Sequence, residues 1–292
     1  MGRVGSRISK PTMSTLLHNT ISPEAYEFIA EQVYAHSRIR LGSDKQALVA
    51  GRLGKRLRQL GLDSFEAYCE FLESTQGAQE LGPLVDLIST NHTHFFRESQ
   101  HLDYLRDHIL AEFVPELIKR HEPFRFWSAA CSSGEEPYTV AIVLAEYGRK
   151  HGTYPWQIEA SDISSRVLEH ARKGIYPAER VKVPQPDLLP RYFQKGTGAN
   201  AGFYRIKDAL RQSVTFHRLN LLQAQYPVAP GQHVIFCRNV MIYFDAATQQ
   251  QLVTKLTDHL SPGGYFIVGH SESLLGVKHS LRTVKPGVYR KS

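Results

Sequence analysis

The chain has 292 residues, 42% of them hydrophobic and 22% charged, with a formal net charge of +7. That balance belongs to a folded protein with room for one large domain and a small one, and it excludes a disordered chain. Its three cysteines, Cys69, Cys131 and Cys237, lack CxxC spacing, which argues against a structural zinc site and for a reducing compartment, the cytoplasm. No apolar run approaches the roughly 20 residues needed to cross a bilayer, so membrane insertion is not expected.

Residues 1–13, MGRVGSRISKPT and then Met13, read as an expression leader, whose Arg3, Arg7 and Lys10 supply three of the seven net positive charges. An all-helical domain is expected over 14–90. Its first helix follows Ser22-Pro23-Glu24, an N-cap with proline at the first helical position, and carries Tyr26, Ile29, Ala30, Val33 and Tyr34 at helical spacing. Further helices are predicted over about 44–60, 64–73 and 81–90. On the second, Arg52, Lys55 and Arg56 share one face, with Arg58 flanking, while Val49, Leu53, Leu57 and Leu60 share the other. A long amphipathic helix over about 99–119 opens the remainder, 91–292.

Strand and helix patterns then alternate. Strands are predicted at 124–127, 157–160, 234–237 and 265–268, and helices at 135–149, 164–173 and 246–260. This alternation argues a parallel, doubly wound α/β sheet. Residues 174–214 break it with Pro184, Pro186, Pro190 and a glycine-rich run from Gly196 to Gly202. Short strands at 205–207 and 214–217 then suggest a small antiparallel β insertion.

Three places in the α/β part carry polar residues where ligands bind in such sheets. In the turn from Ser128 to Pro137, SAACSSGEEP, small residues let a ligand approach the backbone at a helix N-terminus. Without a GxGxxG or P-loop pattern, and with Glu135 and Glu136 at the helix start, this turn repels a pyrophosphate. It suits a cofactor with a positive or neutral end, and S-adenosylmethionine fits. Either glutamate also serves as an ordinary first-turn acid. Asp162 ends the second strand, where an acid commonly accepts bonds from ribose hydroxyls; capping of the next helix by Ser161, Asp162 or Ser164 is the rival role. In HVIFCRNVMIYFD, a strand stops at Arg238-Asn239 and apolar character resumes through Phe244. Asn220-Leu221 follows another short strand in the same way.

The segments NHTHFFRE (91–98), SAACSSGEEPYTVA, ASDISSRVLEHARKGIYP, FCRNVMIYFD and GHSESL, in this order, resemble the motif series of the CheR family of chemotaxis receptor methyltransferases. The likeness covers the chain from about residue 20 onward. It implies a Rossmann-like S-adenosylmethionine-dependent methyltransferase domain behind an all-α N-terminal domain. The expected activity is esterification of glutamates on methyl-accepting chemoreceptors by a cytoplasmic, monomeric enzyme.

The resemblance further implies that Asn91, Thr93, Arg97, Glu136, Asp162, Asn220, Leu221, Arg238 and Asn239 contact S-adenosylmethionine, with Arg97 and Tyr243 nearest the transferred methyl. Arg97 can grip a carboxylate with two prongs, of cofactor or substrate. His92 and His94 have a metal-pair spacing without a third ligand, and no metal is expected. Receptor methylation regions are acidic helical bundles in the family, so the face with Arg52, Lys55, Arg56 and Arg58 is expected to dock there; a solvated basic face is the alternative. The Gly196 to Gly202 loop resembles the longer loop of members that bind a receptor's C-terminal peptide tether at a sheet edge. No basic stripe interleaved with aromatics lies beyond the second helix, so nucleic acid is not an expected partner. A methyltransferase for small acids or nucleic acid, and a non-catalytic receptor adaptor, are the competing readings.

Overall fold

Ser22, foreseen as an N-cap, accepts the Ala25 N–H on its side chain and starts α1 (Pro23–Ser37). The computed structural model describes residues 20–89 and 91–292, and the leader expected over 1–13 lies outside them. Two compact units divide after Ser89. In the first, α1 is followed by α2 (Gln46–Leu60), α3 (Phe65–Glu73) and α4 (Leu81–Ile88). Gly61, at φ 71°, stops α2 in a left-handed cap, and the Ser64 side chain starts α3 by accepting the Ala67 N–H. Ile29 and Val33 of α1, Val49, Leu53 and Leu57 of α2, Phe65 and Tyr68 of α3, and Leu84 and Ile88 of α4 form one buried cluster.

The basic face of α2 differs from the expectation. Arg52 Nη1 donates to the carbonyls of Ile88 at 2.5 Å and Ser89 at 3.1 Å, satisfying the open C-terminal end of α4. Arg56 forms a two-pronged bond to Glu80, Nε to Oε1 at 2.8 Å and Nη2 to Oε2 at 2.5 Å, and the Tyr68 hydroxyl adds a bond to Oε1 at 3.1 Å. Lys55 and Arg58 alone of the four are exposed. Helical spacing placed these cations on one side of α2, but no local pattern tells that Glu80 and the end of α4 come up against two of them.

In the second unit, α5 (Ser99–Tyr104) continues through a π turn (Leu105–Ile109) into α6 (Leu110–Arg120). The α/β part runs β1 (Phe124–Ser128), α7 (Glu135–His151), β2 (Trp156–Asp162), α8 (Ser165–Lys173), β3 (Ile175–Pro177), α9 (Leu188–Tyr192), β4 (Phe193–Lys195), β5 (Phe203–Ile206), α10 (Asp208–Arg211) and β6 (Val214–Arg218). It closes with β7 (Gln232–Cys237), α11 (Ala246–Asp258), β8 (Leu260–Val268), β9 (Arg282–Lys285) and β10 (Val288–Arg290). The large sheet has the order β6-β2-β1-β7-β8-β10-β9. Its first five strands are parallel, and β10 and β9 add an antiparallel edge. Both faces are covered, one by a cluster including Phe126, Ile158, Val234 and Ile267, the other by one including Trp127, Ile235, Phe266 and Leu252. The apolar runs of β1 and β7 follow from burial on both sides.

A small antiparallel sheet, β3-β5-β4, forms the insertion. The strand predicted at 214–217 does not belong to it. As β6 it runs parallel to β2, Ile158 opposite Val214, at the edge of the large sheet. A four-residue strand carries no mark of its direction, and closeness in sequence to the insertion was the misleading cue. The small sheet is anchored by Phe95, whose ring lies edge-on to Tyr176 at 5.0 Å and to Phe193 at 5.4 Å.

Glu80 is only 4% exposed, so removing its cation leaves a buried, uncompensated carboxylate. Arg56→Ala should therefore destabilise the helical unit by about 3 kcal/mol. Lys55→Ala and Arg58→Ala should change it by less than about 0.5 kcal/mol. Chemical denaturation followed by helical circular dichroism checks both.

Candidate active site

From β1 the strand order runs outward to β2 and β6, and from its neighbour β7 it runs the other way to β8. The carboxyl ends of β1 and β7 thus flank the reversal point at which doubly wound sheets bind ligands. Ser128, the last residue of β1, donates its hydroxyl to Glu136 Oε1 at 2.7 Å. The other oxygen of Glu136 accepts from Arg238 Nε at 2.7 Å, in the residue just after β7. The Arg238 side chain is 2% exposed, and its Nη1 also donates to the Arg97 carbonyl at 3.1 Å and to Glu98 Oε2 at 3.3 Å. Asn239 Nδ2 donates to Glu98 Oε1 at 3.1 Å. Burial raises the Glu98 carboxyl, but bonds from His101 and Asn239 and the charge of Arg238 outweigh it and hold the group at about 2. His101 Nδ1 lies 3.3 Å from both Glu98 Oε2 and Arg238 Nη1, and its tautomer decides which bond it makes. Burial first, and then Arg238, push its pKa down against the pull of Glu98, so the ring is neutral at neutral pH.

A second set of bonds centres on Ser132. Its N–H donates to Asp162 Oδ2 at 2.8 Å, and its hydroxyl donates to the Asn91 carbonyl at 3.1 Å. Asp162 Oδ1 accepts the Ser164 N–H at 3.0 Å, but the side-chain cap of α8 is Ser164. The rival role for Asp162 thus falls to its neighbour. The Asp162 carbonyl accepts the Leu219 N–H at 2.9 Å, which brings Asn220 and the buried Leu221 to the same end of the sheet. Gly134, at φ 95°, is required here, because a Cβ would meet the Ala171 Cβ at 2.8 Å. Four other residues of these loops take left-handed backbone without being glycine: Phe96, Glu98, Ser132 and Asn239.

The structure thus links Arg97, Glu136, Arg238 and Asn239 through Glu98 and Arg238, and Asn91 and Asp162 through Ser132, while Asn220 and the buried Leu221 follow β6 at the same end of the sheet and Thr93 is buried. Arg97 Nη1 donates to the His92 carbonyl at 2.7 Å. Tyr243 is half-buried at the end of a 3-10 turn (Met241–Tyr243), and among the described residues its hydroxyl has no hydrogen-bond partner. No hydrogen bond joins the side chains of Arg97 and Tyr243. Glu98, His101, Ser132 and Glu272 are site residues that sequence reasoning left unassigned. Glu98 and Glu272 lay inside quoted motifs, but their partners are more than 130 and about 30 residues away along the chain. Glu98, His101 and His270 form the one group of three possible metal ligands among the described residues, and the Arg238 guanidinium already stands against two of them.

Residues 91–289 match the family described as CheR methyltransferase, SAM binding domain, and residues 24–89 match its all-alpha domain. The chain belongs to the CheR methyltransferase family. A chemotaxis protein methyltransferase of Pseudomonas aeruginosa is 42% identical over 268 residues, 91% of this chain and 92% of that one. The Escherichia coli chemotaxis protein methyltransferase is 42% identical over 255 residues, 87% and 85% of the two chains. That of Borreliella burgdorferi is 37% identical over 279 residues, 94% and 97%.

The CheR chain is thus a methyltransferase, and S-adenosylmethionine is its cofactor. The residues present fit that molecule. Asn91 Nδ2 is buried with no partner among the described residues, a donor in want of an acceptor. Asp162 stands at the carboxyl end of β2 and accepts the Ser132 N–H of the turn after β1, an acid at the place where such sheets hold ribose hydroxyls. Nothing in the turn from Ser128 to Gly134 supplies a cation for a phosphate. No helix among the described residues is long and apolar enough to cross a membrane.

The depressed pKa of Glu98 gives a signed prediction. Its reference value is 4.5 and its folded value about 2, so its stabilisation is complete above pH 4.5 and is lost as pH falls toward 2. Glu98→Gln should lower stability at pH 7 by about 2 kcal/mol. It should also flatten the loss of stability between pH 4.5 and 3, read from thermal midpoints across that range.

Proposed function

We propose that this methyltransferase esterifies glutamate side chains of methyl-accepting chemoreceptors in chemotactic adaptation, by direct in-line transfer, as a cytoplasmic monomer. The observation that carries the reading is Tyr243, a partly buried residue shortly after Asn239 whose hydroxyl is open to solvent and has no partner among the described residues. In a core tyrosine that hydroxyl would be bonded. The cofactor supplies an electrophilic methyl on a positively charged sulfur. Asp162 would hold its ribose, Leu221 and Asn220 would edge its adenine, and Asn91, Thr93, Glu136, Arg238 and Asn239 would complete the cradle. Glu136 would do so while bonded to Arg238, so the pair presents little net charge to the ligand.

A substrate glutamate, with a reference pKa of about 4.3, is ionised at neutral pH and needs no general base. Positioning is then the main task of Arg97 and Tyr243. Their donors would orient one carboxylate oxygen toward the methyl without pairing with the charge that makes it nucleophilic. Charge is lost as ester forms, so exclusion of water favours the step. Incubation with labelled S-adenosylmethionine and a receptor cytoplasmic fragment should give base-labile label. Tyr243→Phe should slow it about 100-fold while cofactor binding by calorimetry stays unchanged; unchanged turnover would make Tyr243 a core residue.

Receptor docking would rest on Lys55 and Arg58, with Arg52 and Arg56 shaping the helix that presents them. The small sheet offers an edge at β4, next to the Gly196 to Gly202 loop, for a receptor's C-terminal peptide. Reversing Lys55 and Arg58 to Glu should raise KM for receptor about tenfold, the worth of two rim charge pairs at roughly 0.7 kcal/mol each. An effect on cofactor binding instead would refute the docking, and failure of receptor C-terminal peptides to bind saturably would remove the tether.

A further inference from the structure

We infer that Glu272 is a positioning residue that sets Tyr243 relative to Arg238 by holding the backbone turn between them. Glu272 lies in the loop after β8 and is 8% exposed. Its Oε2 accepts the N–H groups of Asn239 at 2.6 Å and Gly269 at 2.7 Å. Its Oε1 accepts the Met241 N–H at 2.8 Å, with Ile242 at 3.4 Å. These amides have no strand or helix partner of their own, since Asn239 is left-handed at φ 59° and Met241 opens the 3-10 turn that ends at Tyr243.

The chemistry requires a carboxylate. Two oxygens that only accept can serve three short backbone donors. A carboxamide of the same shape has one oxygen, and its NH2 would face N–H groups on the other side. Gly269 belongs to the same device, because a Cβ there would meet Asn239 Nδ2 at 2.5 Å and Glu272 Oε2 at 2.8 Å. At one end of the turn, Glu136 and Glu98 fix the Arg238 guanidinium. At the other, Tyr243 ends the 3-10 turn whose Met241 and Ile242 amides are tied to Glu272. The inference rests on the proposed role of Tyr243.

The test compares Glu272→Gln and Gly269→Ala in the full chain, each alone and each combined with Tyr243→Phe. We expect each to lower kcat for base-labile methylation about tenfold beside a normal Tyr243, and by less than about twofold in Tyr243→Phe, the non-additivity of residues acting through one group. Hydrogen exchange at the amides of Asn239 and Met241 should quicken by about tenfold or more, a readout independent of turnover. Equal losses in both backgrounds would show a purely structural role and overturn the inference, as would unchanged kcat with quickened exchange. If Glu272→Gln fails to fold, Gly269→Ala, which keeps the carboxylate, carries the comparison. Full turnover by Tyr243→Phe alone would remove the reading of Tyr243, and this inference with it.

Discussion

A buried guanidinium between two carboxylates organises the reversal point of this sheet. Taking Arg238 out of water costs several kcal/mol, and the cost is offset only where every donor meets an acceptor in good geometry. Glu136 comes from the first turn of α7, Glu98 and the Arg97 carbonyl from the segment before α5, and Arg238 itself from the end of β7. Three stretches far apart in the chain are thereby fixed to one cation. The Arg97 backbone is held so that its side chain leaves in a defined direction. The bond from Asn239 to Glu98 extends the same lattice into the turn that bears Tyr243.

This lattice recasts what Arg238 and Glu136 do. Each looks like a ligand-binding group when its motif is read alone. In the fold they neutralise one another, and the surface they offer a cofactor is a pattern of hydrogen bonds more than a charge. That suits a ligand with an amino group, a carboxylate and a sulfonium, which a strongly charged wall of either sign would distort. His101 beside Arg238 adds no charge, since burial first and then that guanidinium push its pKa down.

Much of the architecture was legible because its signals are local. Ser22, Gly61 and Ser64 mark helix ends by chemistry each residue carries alone. Strands buried on both faces, such as Val234 to Cys237, read as apolar runs. The polar interruptions after β1, β2, β6 and β7 proved to share one end of the sheet. What stayed hidden depends on partners distant in sequence. The direction of β6 is set by pairing with β2, not by its own residues. Arg52 and Arg56 resembled a docking face because helical spacing says which side a residue is on, and nothing about what packs there. Glu272 was visible as a letter in GHSESL, but its role exists only once β8 lies beside β7.

The left-handed residues Phe96, Glu98, Ser132 and Asn239 carry a further implication. A side-chain-bearing residue pays about 1–2 kcal/mol for that backbone, and here the conformation is held by contacts between strands and loops rather than by local sequence. The loops of the site therefore have little shape of their own in the unfolded chain, and they acquire it only against an assembled sheet. The cofactor-facing surface is thereby tied to the assembled sheet, and a change that loosens the contacts between strands reaches it without touching any residue that would meet the ligand.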